Sequence, residues 1–304
     1  MADDSSHPPA DTAPDRAVTA PQAHAALTLV ATPIGNLADI SPRAIAALRA
    51  ASLVLCEDTR ITARLCAVHN ISSRLMPFHD HNEAVATPDL IARMRRGERL
   101  ALVSDAGTPL VSDPGYRLVR ATIDADLILT AIPGANAAVT ALQLSGLPPH
   151  PFLFLGFPPA RQAARLAEFT RLRAAEVAGL HATLIWYEAP HRLAETLTDL
   201  VAVFGARPAA VARELTKTFE ETRRAPLPDL AAHYATTAPR GEITLLVGPA
   251  PEVRPDSAAI DAALRTALAH MSLKDAASLV AEATGTPRKA VYNRALGMMR
   301  ERAP

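Results

Sequence analysis

Short apolar runs rich in β-branched residues alternate with helical stretches through the first half of the chain. The strand-like runs are residues 27–32, 53–56, 100–103 and 127–132. Each run stops at residues such as Gly, Pro, Asp or Asn, which favour turns. Because strands that alternate with helices form parallel sheets, the pattern predicts an N-terminal α/β domain over 27–149, with helices on both faces of its sheet.

The helices predicted between these strands have recognisable ends. Ser41 and Pro42 suit the N-cap and the first helical position of a helix that runs through Ala51. Gly97 and Gly146 suit the ends of two others, because glycine accepts the left-handed conformation that closes many helices. The predicted helical segments are 42–51, 88–96, 116–125 and 137–144.

A second α/β domain is predicted over residues 150–250. The Pro-rich segment 147–151 has the composition of a hinge between domains. Strands and helices alternate after this hinge as they do before it, which again indicates α/β architecture. The predicted strands are 152–155, 183–187, 209–213 and 242–247, and the predicted helices are 161–178 and 193–204.

The last segment, 256–304, carries no strand signal and is predicted to be a helical module. Its apolar residues recur at helical spacing, and Gly285-Thr286-Pro287 separates two helices. A short helix, a turn and a helix that carries Arg288, Lys289 and Arg294 outline a helix-turn-helix, a nucleic-acid-binding motif. On spacing alone, the alternative is a small helical cap with a solvated basic face.

Composition narrows the class of protein. Residues 1–26 are rich in Pro, Ala, Asp and Ser, without the cationic start and apolar run of a signal peptide, so we expect a disordered tail. No apolar run reaches the roughly 18 residues of a membrane span. The formal net charge is zero, which does not indicate a strongly basic nucleic-acid binder. We expect a cytoplasmic protein in which Cys56 and Cys66 are buried, reduced thiols.

Candidate chemistry lies at the predicted strand ends, where open α/β sheets bind their ligands. Any one of these turn-rich loops is ordinary, but together they indicate a small-molecule site and an enzyme. The chain has no dinucleotide-binding fingerprint, P-loop or nucleophile elbow. His79-Asp80-His81 fits a polar loop better than a metal site. The loops are 33–36, 57–60, 104–115 and 133–136.

Eight motifs follow one another along the chain: ATPIGNLADIS (31–41), LVLCEDTR (53–60), VSDAGTPLVSDPGY (103–116), IPGANAAVTALQLSG (132–146), FLFLGFPP (152–159), WYEAPHR (186–192), ARELTKTFEE (212–221) and GEITLLVGP (241–249). In this order they resemble the tetrapyrrole methylase superfamily, and more narrowly its ribosomal RNA branch, small-subunit methyltransferase I. Members that act on tetrapyrroles usually show Gly-Asp-Pro where this chain has Ser104-Asp105-Ala106-Gly107, which favours the RNA branch.

The resemblance implies two α/β domains with S-adenosylmethionine in the cleft between them, an appended helix-turn-helix and a homodimer. The implied reaction is methylation of the ribose 2′-oxygen of a cytidine in the decoding region of 16S ribosomal RNA, within the small ribosomal subunit. The basic residues of the last predicted helix, Arg288, Lys289 and Arg294, are the candidate RNA contacts. The implied cofactor contacts are Pro33, Ile34, Asp105, Ala106, Gly107, Thr108, Asn136, Ala137, Tyr187 and Glu242.

Charged residues at strand ends are the catalytic candidates, because a ribose hydroxyl is a poor nucleophile until it is deprotonated. Arg60 would bind phosphate, and a desolvated Lys217 would act as a base or lower the pKa of the acceptor hydroxyl. The alternative for Asp58 and Arg60 is a structural ion pair. No single residue stands out as the base among the candidates, Asp58, Arg60, Glu214 and Lys217, with Glu188 beside them.

Two other kinds of protein stay open at this stage. One is a C-methyltransferase of tetrapyrroles, or a relative that modifies a protein side chain. The other is a non-catalytic nucleic-acid-binding regulator, which would not bind S-adenosylmethionine. Arginine clusters within 93–99, 161–173 and 288–302 would provide local phosphate contacts despite the zero net charge, or simply solvated helix faces.

Overall fold

The computed structural model describes residues 25–251 and 257–300. One compact unit extends to Pro249, and a second begins at Ala250. The first unit contains two five-stranded sheets, one formed before the predicted hinge and one after it. The predicted boundary at residue 149 therefore falls between two sheets of one unit and stays a prediction. The predicted tail, 1–26, lies outside the described residues except for Ala25 and Ala26.

The first sheet is entirely parallel, as the alternating pattern predicts. Its central strands are almost fully buried, because helices cover both faces. The carboxyl ends of the two middle strands, β1 and β4, bring the loops 33–36 and 104–115 side by side. The strands are β1 (Leu27–Val30), β2 (Leu53–Cys56), β3 (Leu75–Pro77), β4 (Leu100–Val103) and β5 (Leu129–Ile132), in the order β3-β2-β4-β1-β5.

Five helices accompany this sheet, and two of the predicted ends are confirmed. The Ser41 hydroxyl accepts a hydrogen bond from the Ala44 amide at 3.1 Å and caps the first helix. Gly146 closes the fifth helix in the left-handed conformation, with φ of 71°. The helices are α1 (Pro42–Ala50), α2 (Thr59–Val68), α3 (Asp80–Arg95), α4 (Tyr116–Asp124) and α5 (Ala137–Ser145).

Three predictions for this half are wrong: the start of α3, the polar loop at residues 79–81 and the start of β5. Helix α3 begins at Asp80 rather than at Pro88, so His79-Asp80-His81 is a helix start and not a polar loop. The Asn82 side chain accepts from the His79 amide at 2.9 Å, which stabilises this start, and the helix continues through Pro88. Helix α2 and the short strand β3 had no prediction, and β5 begins two residues later than expected.

The second sheet differs from the first in strand direction. Only β6 and β7 pair in parallel, and the other three pairings are antiparallel. Strand β9 and helix α8 had no prediction, because β9 reads ETRRAP and lies half exposed at the sheet edge. The strands are β6 (Phe152–Phe154), β7 (Thr183–Glu188), β8 (Pro208–Arg213), β9 (Glu221–Pro226) and β10 (Ile243–Val247); the helices are α6 (Gln162–Val177), α7 (Leu193–Phe204) and α8 (Leu227–Thr236).

A buried ion pair corrects the interpretation of the arginine cluster in α6. Arg165 is only 1% exposed, and its guanidinium lies 2.6 Å from Oδ2 of Asp199 on α7. A charge neutralised inside the protein is not available to phosphates. Arg165 therefore holds two helices together and does not belong to a basic surface.

The second unit consists, over its described residues, of α9 (Ser257–Leu268), α10 (Leu273–Thr284) and α11 (Arg288–Arg300). Gly285 ends α10 in the left-handed conformation, as predicted. Of the apolar residues at helical spacing, Ala276 is fully buried as predicted, but Leu279 and Met299 are half exposed, and the buried Ala295 was not among those predicted. Small side chains let the helix axes approach closely. None of the helices described is both long and apolar enough to cross a membrane.

Candidate functional site

The loop after β4 is held against the end of β1 by backbone and side-chain hydrogen bonds. The Thr32 amide donates to the Gly107 carbonyl at 2.8 Å, and the Gly107 amide returns a bond to the Thr32 carbonyl at 3.1 Å. The Ser104 hydroxyl also donates to the Gly107 carbonyl at 3.0 Å. Gly107 has φ of +87°, and a Cβ there would lie 3.2 Å from Ile34. The loop backbone is therefore fixed and free of side-chain bulk where it faces the cleft.

The loop after β5 is tied to the same structure. The Thr108 hydroxyl donates to the Ala135 carbonyl at 3.1 Å. Asn136 caps α5 by accepting from the Val139 amide at 3.1 Å, and its Nδ2 lies 3.4 Å from Thr108 Oγ1. Because its side chain makes these bonds, Asn136 positions two loops. It does not line the cavity described below.

The two sheets meet at a close contact between two loops. The Asn36 amide donates to Thr216 Oγ1 at 3.1 Å, linking the loop after β1 to the loop after β8. A Cβ on Gly35 would lie 2.4 Å from Cγ of Lys217 and 3.0 Å from the Leu215 carbonyl oxygen. Glycine is therefore required for this approach, which forms one wall of the cleft.

A cavity of about 350 Å³ opens where the carboxyl edge of the first sheet faces the second sheet. Its walls are mostly apolar, with convergent carboxylates and backbone groups, which is the usual character of a small-molecule site. Eight of the ten residues predicted to bind the cofactor line it, and their role as ligands stays a prediction. They are Ile34, Asp105, Ala106, Gly107, Thr108, Ala137, Tyr187 and Glu242.

A second cavity, of about 360 Å³, adjoins the first and shares part of its wall. Of the other two predicted cofactor residues, Pro33 lines this second cavity and Asn136 lines neither. Two cationic side chains line it, Arg64 from helix α2 and Lys217 from the loop after β8. The shared wall consists of Ile34, Asp105, Ala106 and Glu242.

The candidates Asp58 and Arg60 form an ion pair at the start of α2. Oδ2 of Asp58 lies 2.5 Å from an Arg60 guanidinium nitrogen, and Oδ1 accepts from the Arg60 amide at 2.8 Å. Hydrogen bonds from Arg60 lower the pKa of Asp58 to about 2. A carboxylate of that pKa is a poor proton acceptor near neutrality. This geometry is that of a structural ion pair, the alternative to a catalytic role for Asp58 and Arg60.

The candidates Glu214 and Lys217 form a second charged group, which includes Glu242. Lys217 Nζ lies 2.8 Å from Oε1 of Glu214 and 2.9 Å from Oε2 of Glu242. Desolvation acts to lower the pKa of Lys217, but its two carboxylate hydrogen bonds outweigh it and raise the pKa. Hydrogen bonding from Lys217 lowers the pKa of Glu214. Lys217 is therefore a fixed cation at the cleft, and neither group is suited to accept a proton.

Glu188, at the end of β7, is also engaged. Its Oε1 accepts from the Ala189 amide at 2.7 Å, and its Oε2 accepts from the Thr196 hydroxyl at 2.5 Å. Arg192 Nε lies 3.2 Å from Oε1. The carboxylate is buried and its oxygens are occupied, so Glu188 stabilises the turn after β7.

Sequence reasoning missed Asp113, which lines the first cavity. Burial raises its pKa to about 7, and the nearby carboxylates of Glu57 and Asp105 add to the effect. Ser-Asp occurs twice in the loop SDAGTPLVSDPG, and only the first pair, Ser104-Asp105, received a role. The second Ser-Asp pair, Ser112-Asp113, was the sequence signal that could have indicated a second acid at the site. Nothing in the spacing shows that the loop turns back to face the cavity.

The three predicted RNA contacts lie on α11 and differ in their surroundings. Arg288 and Lys289 are exposed in its first turn. Arg294 forms a bidentate ion pair with Asp261 of α9, one of whose bonds measures 2.8 Å. Arg294 therefore joins two helices of the module, and part of its charge is neutralised.

Two family models match the chain. The model described as Tetrapyrrole (Corrin/Porphyrin) Methylases covers residues 26–231, and the model described as RsmI C-terminal HTH domain covers residues 254–299. Among solved structures, the methyltransferase CobJ has a TM-score of 0.56 at 20% identity, covering 74% of this chain and 94% of that one. A diphthine synthase has a TM-score of 0.55 at 15% identity, covering 73% and 90%. At such identities the likeness shows the fold alone.

Curated relatives match nearly the whole chain, and the three that follow are each named "Ribosomal RNA small subunit methyltransferase I". The one from Mesorhizobium japonicum is 49% identical, covering 89% of this chain and 91% of its own length. Those from Pseudomonas aeruginosa and Escherichia coli O157:H7 are 46% and 42% identical, covering 89% of this chain and 96% and 94% of their own lengths. The chain belongs to the tetrapyrrole methylase family, in the group of members that carry the name ribosomal RNA small subunit methyltransferase I.

Proposed function

We propose that this protein transfers a methyl group from S-adenosylmethionine to the ribose 2′-oxygen of a cytidine in the decoding region of 16S ribosomal RNA. The observation that carries the proposal is the cavity between the two sheets, lined by eight residues that the family motifs select as cofactor contacts. High identity to relatives named for small-subunit ribosomal RNA supports the choice of substrate.

The first cavity fits S-adenosylmethionine in size and in charge. Its volume of about 350 Å³ is in the range of small-molecule sites. The carboxylates of Asp105 and Glu242 complement a ligand with an ammonium and a sulfonium group. Bare backbone at Gly107 leaves room for close contact, where a Cβ would meet Ile34. When bound, the cofactor supplies an electrophilic methyl group to an acceptor oxygen.

The second cavity suits the acceptor nucleotide. Arg64 provides positive charge for a phosphate, and Ile61, 47% exposed beside it, provides an apolar surface for a base or sugar. Because this cavity shares a wall with the first, a nucleotide whose phosphate is held there would extend its ribose into the first cavity, beside the cofactor. Holding the two reactants together is itself a large part of the catalysis of a displacement reaction.

The ion pairs at the cleft then serve to position residues. We assign Asp58 to the start of α2, where its side chain caps the helix. Glu214 holds the ammonium of Lys217 at the edge of the second cavity, and Arg60, strongly exposed, is available to phosphates. These roles replace the general-base role considered for Asp58, Glu214 and Lys217.

The C-terminal helices extend the proposed RNA contact. Arg288 and Lys289 present positive charge at the exposed start of α11, where phosphates would bind. The substrate is then 16S ribosomal RNA within the small subunit, and we propose that the protein acts in the cytoplasm as a homodimer, as its family resemblance implies. The domain division 27–149, 150–250 and 256–304 belongs to the same proposal.

The proposal is tested in cells that lack the gene for this protein. We expect one 2′-O-methyl group to be missing from their small-subunit RNA and to return when the protein is supplied. Unchanged ribose methylation in the deletion strain would contradict the proposed substrate. Methylation of a tetrapyrrole by the purified protein, without methylation of RNA, would support the C-methyltransferase instead.

A further inference from the structure

Four carboxylates line the first cavity: Asp105, Asp113, Glu188 and Glu242. Three of them make hydrogen bonds or ion pairs. Asp105 accepts from the Asp58 amide at 3.0 Å, Glu188 is occupied by the Thr196 hydroxyl and the Ala189 amide, and Glu242 pairs with Lys217. Within the described ranges, 25–251 and 257–300, the carboxylate of Asp113 makes no hydrogen bond or ion pair, so its oxygens are open to a ligand.

The charged surroundings of Asp113 are uniformly negative. The groups that face it are the carboxylates of Glu57, after β2, and Asp105, after β4, together with the neutral phenol of Tyr187 on β7. A half-buried acid without a counter-charge holds its proton more tightly than a solvated one, and its pKa rises to about 7. Near neutrality Asp113 therefore exchanges a proton readily, which the ion-paired acids do not.

The backbone holds Asp113 in a fixed place. Leu110 and Ser112 precede it with φ of 72° and 69°, a conformation that non-glycine residues rarely adopt. Gly115 follows with φ of 123°, and a Cβ there would lie 2.5 Å from Leu102. Strained backbone of this kind persists where surrounding structure enforces it, often at active sites. The loop thus holds Asp113 at the wall of the cavity.

We propose that Asp113 is the general base that removes the proton from the ribose 2′-hydroxyl. The inference rests on the proposed function. As the hydroxyl O–H bond breaks, its proton passes to an Asp113 carboxylate oxygen. The ribose oxygen forms the new bond to the methyl carbon, and the electron pair of the broken carbon–sulfur bond stays on sulfur, giving S-adenosylhomocysteine. The carboxyl group then releases its proton to water.

The rival role for Asp113 is to hold the ammonium or a hydroxyl of the cofactor, and the two roles predict different kinetics. A cofactor ligand contributes mainly to affinity, whereas a base contributes to the rate at saturation and to its pH dependence. The test compares Asp113→Asn with the wild-type protein. The matched control is Asp124→Asn, which removes an exposed acid that pairs with Arg120 on α4.

For Asp113→Asn we expect kcat to fall by about 10²- to 10⁴-fold. Calorimetry with S-adenosylmethionine should show affinity close to wild type, and Asp124→Asn should match wild type in both measurements. In the wild-type protein, kcat should rise with pH through about 7, and Asp113→Asn should lose that dependence. Carboxyl-¹³C NMR of the unliganded protein should show one aspartate that titrates near neutrality, which Asp113→Asn removes.

Three results would overturn the assignment. They are a kcat for Asp113→Asn close to wild type, weakened cofactor affinity with kcat and its pH profile unchanged, or an Asp113 signal that titrates near 4. The glutamate variant provides a further check, because Asp113→Glu should restore part of the pH-dependent rate. A wild-type protein that binds S-adenosylmethionine but methylates no ribosomal RNA would refute the proposed function instead, and is recognised before any variant is measured.

Discussion

Lys217 Nζ lies 2.8 Å from Oε1 of Glu214, three residues earlier in the loop after β8. The same oxygen of Glu214 accepts from the Glu242 amide at 3.1 Å, so one carboxylate joins the ends of β8 and β10. Glu214 has φ of 51°, and a Cβ on Gly241 would overlap its side chain. The contact therefore ties a strained loop to the cleft.

Replacing Lys217 with Gln should destabilise the protein by about 1 to 3 kcal/mol, because Glu214 and Glu242 lose their shared cation. Glu214 has a lowered pKa, so its stabilising effect is present above the unfolded-state pKa of 4.5 and is lost as pH falls through its folded pKa. The deficit should therefore be large at pH 7 and should shrink toward pH 3. Urea denaturation at both pH values measures it, with Lys217→Arg as the control that keeps the charge.

Replacing Gly35 with Ala should destabilise the first unit by about 1 to 3 kcal/mol and weaken binding of S-adenosylmethionine. The new Cβ would lie 3.0 Å from the Leu215 carbonyl, so the two loops that form the cleft wall must separate. The control is Gly297→Ala in α11, where a Cβ meets no atom within 4 Å and helix propensity improves. Equal cofactor affinity in wild type and Gly35→Ala would show that the wall does not depend on this approach.

Replacing Asp113 with Asn should raise the melting temperature above pH 7. A carboxyl whose folded pKa exceeds its unfolded value opposes folding once it ionises, so its cost is absent below about 4 and complete above about 7. We expect the variant and the wild type to melt together near pH 4 and to diverge toward pH 8. Asp124→Asn, at an exposed ion pair, should show no gain. A lower melting temperature for Asp113→Asn at pH 8 would contradict the claim that the ionised Asp113 carboxylate destabilises the fold.

Reversing Arg288 and Lys289 to Glu should weaken binding to the small ribosomal subunit and reduce its salt dependence, while the fold stays intact. Arg294 was expected to bind RNA with them, but its ion pair with Asp261 joins two helices, so its replacement should change stability. Arg294→Gln should lower the melting temperature of the helical module. Filter binding at several salt concentrations, with circular dichroism, separates the two effects; unchanged affinity for the double reversal would exclude α11 as an RNA contact.

Four of the five strands of the parallel sheet are predictable because each is a short apolar run that ends in a turn, whereas β3, only three residues long, gives no such signal. Strand β9 is not predictable, because its alternating charges fit an exposed edge and resemble a loop. Helix α2 was not predicted either, because Asp58 was considered as a catalytic charge and not as the N-cap of a helix.

Most of the cleft lining follows from motif positions, because these loops share the carboxyl edge of one sheet. The state of each charge does not follow. Spacing leaves the Asp58–Arg60 ion pair as one of two alternatives, and it cannot show that Asp113 lacks any counter-charge. Acidity depends on which groups the fold brings within a few ångströms, and sequence separation does not measure that distance.

Methyl transfer by the purified protein to small ribosomal subunits that lack the modification tests the central claim most directly. With labelled S-adenosylmethionine, the account predicts one methyl group per subunit, recovered as 2′-O-methylcytidine from the decoding region of 16S RNA. Label on a base or on a tetrapyrrole, or no label on RNA from a protein that binds the cofactor, would contradict it.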